Sequence, residues 1–308
     1  MPCVDSHADE LKSQGQATGS PDRNMRSALC VGFRRASRDS LLVDSTAILQ
    51  CMGQRMQYKN DIDQLFETID DLGRDLTREL MTVQGPARGP LHQLLWRCHQ
   101  HRTHPLYVSQ AGQDHFIDQH ITQEKREGIF VDVGGYDGIT GSNSYFFEAV
   151  RGWSGILVEP VPEHCDAARS VRQCPCVQQC VAASEGTREF LQVREGYTQM
   201  SGLLSSYDGD LLEQVRSGSG HEEAVWQLDT VPLASLLRRN GFTHVDCLFL
   251  DIEGAELDVL RSFDPREFHI AVCCIENNNG GPELQELMSA TGYRRVEFIG
   301  MDEIYVSE

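Results

Sequence analysis

Two hydrophobic periods divide the chain. Between residues 41 and 83 the apolar positions recur at helical spacing. Ile62, Ile69, Leu76 and Val83 fall every seven residues, and Leu65, Phe66, Leu72 and Leu80 fill the turns between them. This predicts a helix with a seam over three heptads, which serves equally as a coiled coil or as a face docked onto the rest of the chain. "GPARGP" (85–90) ends it, because two prolines and two glycines in six residues cannot continue a helix. A short helix over "LHQLLWRCHQHRTHP" follows. From Gly128 the pattern changes to short continuous apolar runs separated by amphipathic stretches. Strands are predicted over 129–134, 155–160, 176–183, 245–252 and 269–278, with a closing pair in "YRRVEFIG…EIYVS" joined by "GMDE". Helices are predicted over 142–151, 162–173, 231–241, 254–263 and 282–292. The stretch between 184 and 230 follows neither period and reads as an irregular insertion.

Apolar runs buried on both faces and separated by helices make a parallel sheet covered on both sides. The expected fold is therefore α/β, with a mainly parallel seven-stranded sheet, a C-terminal antiparallel hairpin strand and an N-terminal helical extension. Residues 1–40 are polar and aperiodic and are expected to be a disordered tail. Residues 41–105 form the extension, and 106–308 the main domain.

Composition narrows the function. With 308 residues, 40% of them hydrophobic, the chain can bury a full α/β core without disulfide staples. A net charge of −19 repels a phosphate backbone, so nucleic acid is not an expected partner, while a neutral or cationic substrate is favoured. The eleven cysteines are scattered, and Cys247, Cys273 and Cys274 sit in apolar runs as small hydrophobes. The N-terminal residues lack an apolar targeting segment, and no run approaches the roughly 18 apolar residues of a membrane span, so a cytoplasmic protein is expected. Cys98, His99, His101 and His104 lack the paired spacing of a zinc site, and "CPCVQQC" (174–180) has no second pair to complete one. No resident metal is expected from either group.

The chemistry-bearing stretch is "DVGGYDG" (132–138), between a strand and a helix. Its glycines, Gly134, Gly135 and Gly138, do not fit G-x-G-x-x-G, and a triphosphate-cradling G-x-x-x-x-G-K-[ST] is absent here. The spacing Asp132-x-Gly134-x-x-x-Gly138 does fit the first motif of class I S-adenosylmethionine-dependent methyltransferases. There, glycine lets the backbone approach the cofactor and tolerates positive φ. Glu159 closes the next strand, where an acid can accept both ribose hydroxyls.

Further segments carry a resemblance to a family. "YVSQAGQDHFI" (107–117), "FVDVGGYDGITGSNSYFFE", "GWSGILVEPVPE" (152–163), "MSGL" (200–203), "LFLDIEGAELDVLRSF" (248–263), "IENN" (275–278) and "GYRRVEFIGMDEIYV" appear in order. Together they resemble the FkbM-type methyltransferases, from about Tyr107 to the C-terminus. Gly135 and Tyr136 depart from the commoner "AN" of that family, and the N-terminal helix lies outside the resemblance. What the resemblance implies is a Rossmann-like class I fold and methyl transfer from S-adenosyl-L-methionine. The cofactor residues it implies are Asp132, Gly134, Asp137, Gly138, Ser142, Asn143 and Glu159. Gln110 and Gln113 would fold over the cofactor, and Cys180 to Ala182 would flank the adenine.

The expected reaction is O-methylation of a small molecule or a sugar hydroxyl. An oxygen nucleophile must lose its proton, and a carboxylate at the carboxyl end of a central strand is placed to take it. Asp251 is expected to face the transferred methyl and Glu276 the acceptor, with Glu253 as the third candidate. The same oxygens with Asn277 or Asn278 offer an alternative, a divalent cation holding a diol, and a metal-free site is the leading reading. Glu253 and Glu256 also read as acids favouring a helix dipole. The loop over 196–210 reads as an acceptor lid or as structural support. Two other functions stay open: a dinucleotide-dependent oxidoreductase, whose loop and relay residues are not found, and an inactive assembly protein built on the 44–83 helix as a homo-oligomer.

Overall fold

The computed structural model describes residues 45–308 except His101 and Asp208, and only the backbone of residues 45–58 and Asn60. The tail expected over residues 1–40 lies outside the described residues. Two compact units divide the chain, Met1–Ile62 and Asp63–Glu308.

The helix expected from the heptads is α1, Ser45–Leu80. In the larger unit Leu76 and Leu80 of its seam are buried, whereas Leu65 and Leu72 are exposed. The docked part lies against α2, Arg88–Gln100. A Cβ on Gly73 would stand 3.2 Å from His99 Nε2. Arg88 donates to the carbonyls of Leu80 and Val83, satisfying oxygens left open where α1 ends. Next come α3 (Gln113–Phe116) and a π-turn, Ile117–Ile121. Buried Asp118 in that turn takes a bidentate pair from Arg151, 2.8 Å on each side, and the Tyr107 hydroxyl at 2.6 Å. Burial pushes Asp118 up, but these partners more than offset it and hold the carboxyl below its usual range.

The sheet domain runs through β1 (Ile129–Val133), α4 (Tyr145–Ala149), β2 (Ser154–Val158), α5 (Pro162–Val171), β3 (Cys176–Val177), β4 (Cys180–Val181), β5 (Gly186–Glu195) and β6 (Gly202–Leu203). It continues through α6 (Gly209–Arg216), β7 (Glu222–Val231), α7 (Leu233–Arg239), β8 (Val245–Leu250), α8 (Glu256–Arg261), β9 (Ile270–Glu276), α9 (Glu283–Ala290), β10 (Tyr293–Ile299) and β11 (Asp302–Ser307). Seven strands form one sheet in the order β10-β11-β9-β8-β1-β2-β3. The sheet is mixed. From β9 to β3 the neighbours are parallel, while β11 is antiparallel to both β9 and β10. The hairpin strand thus lies inside the sheet, and β10 is the edge.

Both faces are covered. Val131, Val133, Leu248 and Leu250 pack into one apolar layer, with Leu236, Leu237 and Leu260. Their sequence neighbours Phe130, Cys247 and Phe249 pack into the other, with Phe147, Trp153 and Ile304. Alternate side chains of a strand point to opposite faces, so a strand buried on both must be apolar throughout. "IFVDV" and "VDCLFL" meet that requirement except at Asp132 and Asp246, whose buried carboxyls accept from Ser144 and Lys125.

Two expectations are corrected here. The run 176–183 is not one strand. Cys176–Val177 pairs with β2 in the main sheet, and Cys180–Val181 pairs with β7 in a second, four-stranded sheet ordered β4-β7-β5-β6. The stretch 184–230 is not irregular, because β5 and β7 run antiparallel through nine residue pairs. One side of that ribbon is solvent-facing, so polar residues interrupt its apolar pattern. Among the described residues no helix is long and apolar enough to cross a membrane.

Candidate active site

The carboxyl ends of β1, β2 and β8 open into a cleft. It is lined by Gly134 and Tyr136 after β1, Glu159 after β2, and Asp251 and Glu253 after β8. Cys180, Val181, Phe190 and Gly202 of the second sheet form the opposite wall.

Gly134 shows why this loop needs glycine. Its φ is +91°, and an added Cβ would lie 1.6 Å from the carbonyl oxygen of Asp251. The chain leaving β1 is pressed against the chain leaving β8, where Asp251 N donates to Val133 O at 3.0 Å. Gly138, φ +85°, sits in the same way against Ala168 of α5 and Arg172 just after it. The missing Cβ groups here accommodate protein rather than ligand. Asp137 closes the turn between them, accepting from the amides of Ile139 (2.9 Å) and Thr140 (2.7 Å) and from the Thr140 hydroxyl. Those bonds outweigh its burial and hold the carboxyl below the usual range.

Asp132 does not line the cleft. It turns the other way, taking a short hydrogen bond from Ser144 with Arg172 4.0 Å away. Arg172 is buried, donates to Glu148 (2.7 Å), Gly138 O (3.1 Å) and Ser144 Oγ (2.9 Å), and so fastens α4 and α5 to the tip of β1. Burial raises the Asp132 carboxyl, and the guanidinium opposes that rise. Ser142 accepts from Tyr145 N at 3.1 Å, at the start of α4. The buried Oδ1 of Asn143 has no hydrogen-bond partner.

Glu159 faces the cleft with both oxygens oriented by backbone. Tyr136 N donates to Oε2 at 3.0 Å, and Val161 N to Oε1 at 2.8 Å. Tyr136 lies over His164, ring centres 4.3 Å apart, and its hydroxyl meets Thr198 Oγ1 at 2.8 Å. That contact brings the loop before β6 over the cleft, and Thr198, Gln199 and Ser201 line it. Gln110 also lines it and bonds Gln93 at 3.3 Å. Gln113 is directed elsewhere, to Asp302 (2.6 Å) and Ala111 N (2.9 Å). Asp114 folds back onto Ser109 and the amides of Val108 and His115, shaping the loop around Gln110. Ala182 is buried beside Val161 and Phe190, while its neighbours Cys180 and Val181 supply the wall.

At the end of β8 five carboxylates gather: Asp251, Glu253, Glu256, Glu276 and Asp302. Glu276 and Asp251 bring carboxylate oxygens within 4.8 Å of each other. Glu256 accepts from Ile252 N (2.7 Å) and Gly254 N (3.0 Å), stabilising the turn in which Glu253 takes φ +59°. Burial, then mutual repulsion, pushes Asp251 up to about 7. Glu253 and Glu276 rise well above the carboxylate range for the same reasons. Burial also takes Glu256 and Asp302 to about 7, against hydrogen bonds that favour their charged forms. Sequence reasoning selected Asp251, Glu253 and Glu276. It read Glu256 only as a helix-dipole acid and passed over Asp302, Tyr136 and Thr198. For Asp302 the available signal was an acid in the turn of the closing hairpin, "GMDE".

Fold and cleft define an α/β protein of the methyltransferase type. The model of the methyltransferase FkbM domain matches residues 132–295, more than half of the chain, and the chain belongs to that family. Among solved structures it is similar to a SAM dependent methyltransferase from Aquifex aeolicus, at 13% identity and TM-score 0.30, covering 59% of this chain and 81% of that one. It is also similar to methyltransferase FkbM from Methylobacillus flagellatus KT, at 12% identity and TM-score 0.36, covering 80% of this chain. The match spans 60% of that protein's length. No curated protein matches the chain.

Proposed function

We propose that this methyltransferase uses S-adenosyl-L-methionine and transfers the methyl group to an oxygen of a small molecule or a sugar hydroxyl. The observation that carries this reading is the single cleft shared by the Gly134 loop, the amide-oriented Glu159 and the buried acids after β8. The two amides on Glu159 leave its remaining lone pairs directed outward for a pair of hydroxyls. Glu159 and Gly134 would hold the ribose side, and Cys180 and Val181 the base. When bound, the cofactor supplies a methyl group activated by a sulfonium.

The protein positions the acceptor and takes its proton. Asp251, with its carboxyl near 7, is matched to that proton transfer at neutral pH. Glu276, with a carboxylate oxygen within 4.8 Å of it, shares the load. The loop carrying Thr198 restricts water access to the cleft. A cytoplasmic location fits the scattered free thiols.

Thermal-shift titration with S-adenosylhomocysteine and with NAD tests the reading. The first should raise the melting temperature in a saturable way, and the second should leave it unchanged. Stabilisation by NAD alone would favour the oxidoreductase reading and end this one. Asp251→Asn should lower kcat at least a hundredfold while S-adenosylhomocysteine affinity stays within about threefold.

A further inference from the structure

We propose that Asp251, Glu256 and Glu276 form a site for one divalent cation of the hard, oxygen-seeking kind, Mg²⁺ or Mn²⁺. Each of the three offers a carboxylate oxygen, and these atoms all lie within 4.8 Å of one another. A triangle with no side longer than 4.8 Å has a point within 4.8/√3, about 2.8 Å, of every corner. Oxygen-bound Mg²⁺ and Ca²⁺ sit at about 2.0–2.6 Å from their ligands, so small side-chain adjustments complete the shell. The scaffold is rigid. Asp251 follows the last residue of β8, Glu276 ends β9, and Glu256 is fixed by two backbone amides.

Glu253 provides a separate observation. It is 6% exposed, its Oε2 has no hydrogen-bond partner, and the charges acting on it are those of Asp251, Glu256 and Asp302. A buried carboxylate oxygen facing other carboxylates is costly unless a positive charge or a proton enters. Elsewhere in the described structure three buried carboxyls have a guanidinium partner, while Asp114 is met by Ser109 and backbone amides. Asp118 has Arg151, Glu148 has Arg172, and Glu303 has Arg295. Among the described residues no Lys or Arg pairs with any of the five acids after β8. Among the described residues this leaves a proton or a bound cation to supply what these acids lack.

The donor set is all oxygen, with neither thiolate nor imidazole, which selects Mg²⁺, Mn²⁺ or Ca²⁺ over zinc. Asp251 and Glu253 line the cleft, so the cation would stand where the acceptor enters and could bind two adjacent acceptor oxygens. That role at the acceptor rests on the methyl-transfer reading, with Asp251 then holding the cation in place of the acceptor's proton, whereas the cation site itself does not rest on it.

The test uses the full chain stripped with a chelator and then dialysed free of it. Mn²⁺ titration followed by electron paramagnetic resonance should show one saturable site per chain, displaced by Mg²⁺. Asp251→Asn and Glu276→Gln should each weaken it at least tenfold, and Glu297→Gln, on an exposed strand position, should leave it unchanged. Both variants replace a repelled carboxylate by a neutral isostere, so each should melt at or above the stripped wild type. A melting temperature below it would show that the carboxylates were compensated, and would overturn the proposal. So would the absence of a stoichiometric Mn²⁺ site, one that survives both substitutions, or stabilisation by spermidine but not by Mg²⁺ at equal ionic strength. S-adenosylhomocysteine binding, measured on the same samples, separates the two readings. Its loss with Mn²⁺ binding intact refutes methyl transfer alone, and the converse refutes the cation site alone.

Discussion

Gly134 concentrates the constraint on the site into one backbone position. With φ at +91° and the Asp251 carbonyl 1.6 Å from where a Cβ would be, no other residue fits without parting β1 from β8. Gly134→Ala should therefore cost at least about 3 kcal/mol in urea denaturation, far above the half to one expected from conformational preference alone. Glu159 is constrained by polarity instead. Each oxygen accepts from a backbone amide, so an amide side chain would turn an N–H₂ against one of those donors. Glu159→Gln should weaken S-adenosylhomocysteine at least tenfold by calorimetry and lower stability by about 1–3 kcal/mol, the cost of an unmet buried donor.

At the scale of elements, Arg172 joins what the sequence places far apart. Arg172→Met strands Glu148 and Asp132 in a dry interior and should destabilise by about 3–5 kcal/mol, with Glu148→Gln recovering part of that in the double variant. The loop before β6 is joined to Tyr136 through Thr198. Removing that hydroxyl in Tyr136→Phe costs one partly buried hydrogen bond, about 1 kcal/mol, and should raise KM for the donor roughly fivefold with kcat little changed. An unchanged KM would show that the loop is not held there. These two predictions also mark how far the sequence was legible. The strands of the main sheet are buried on both faces, so their apolar runs announced them, and their tips located Glu159, Asp251 and Glu276. The β5–β7 ribbon is wetted along one side, and polar residues such as Glu223, Gln227 and Asp229 broke its signal. An apolar run cannot report a change of sheet, so Cys176–Val181 read as one strand. Asp132 looked like a ligand residue because its partner, Arg172, is forty residues further on.

For the whole molecule, charge is the governing quantity. The net charge of −19 counts every acid as ionised, and several of those acids are buried and hold protons tightly. Burial raises Asp114 to about 6 and Asp302 to about 7, against about 4 in an unfolded chain. The folded state therefore binds more protons than the unfolded one between those values. Stability from these groups is complete below pH 4 and is lost as pH rises through 6 and 7. In chelator-treated protein the urea midpoint should fall from pH 5 to pH 8, by a loss on the order of a few kcal/mol.

The division of 176–181 between two sheets has a consequence for how such a protein can change over time. The chain is in the second sheet from Cys180, and Val181, where it enters, and Val231, where it returns, are direct neighbours in the parallel pairing of β4 with β7. Everything between departs and comes back through one doorway. An arm attached in that manner can be lengthened, trimmed or exchanged while the register of the main sheet stays as it was. A lineage could retune what enters the cleft by editing residues 182–230, and a protein engineer could transplant the same segment as a cassette.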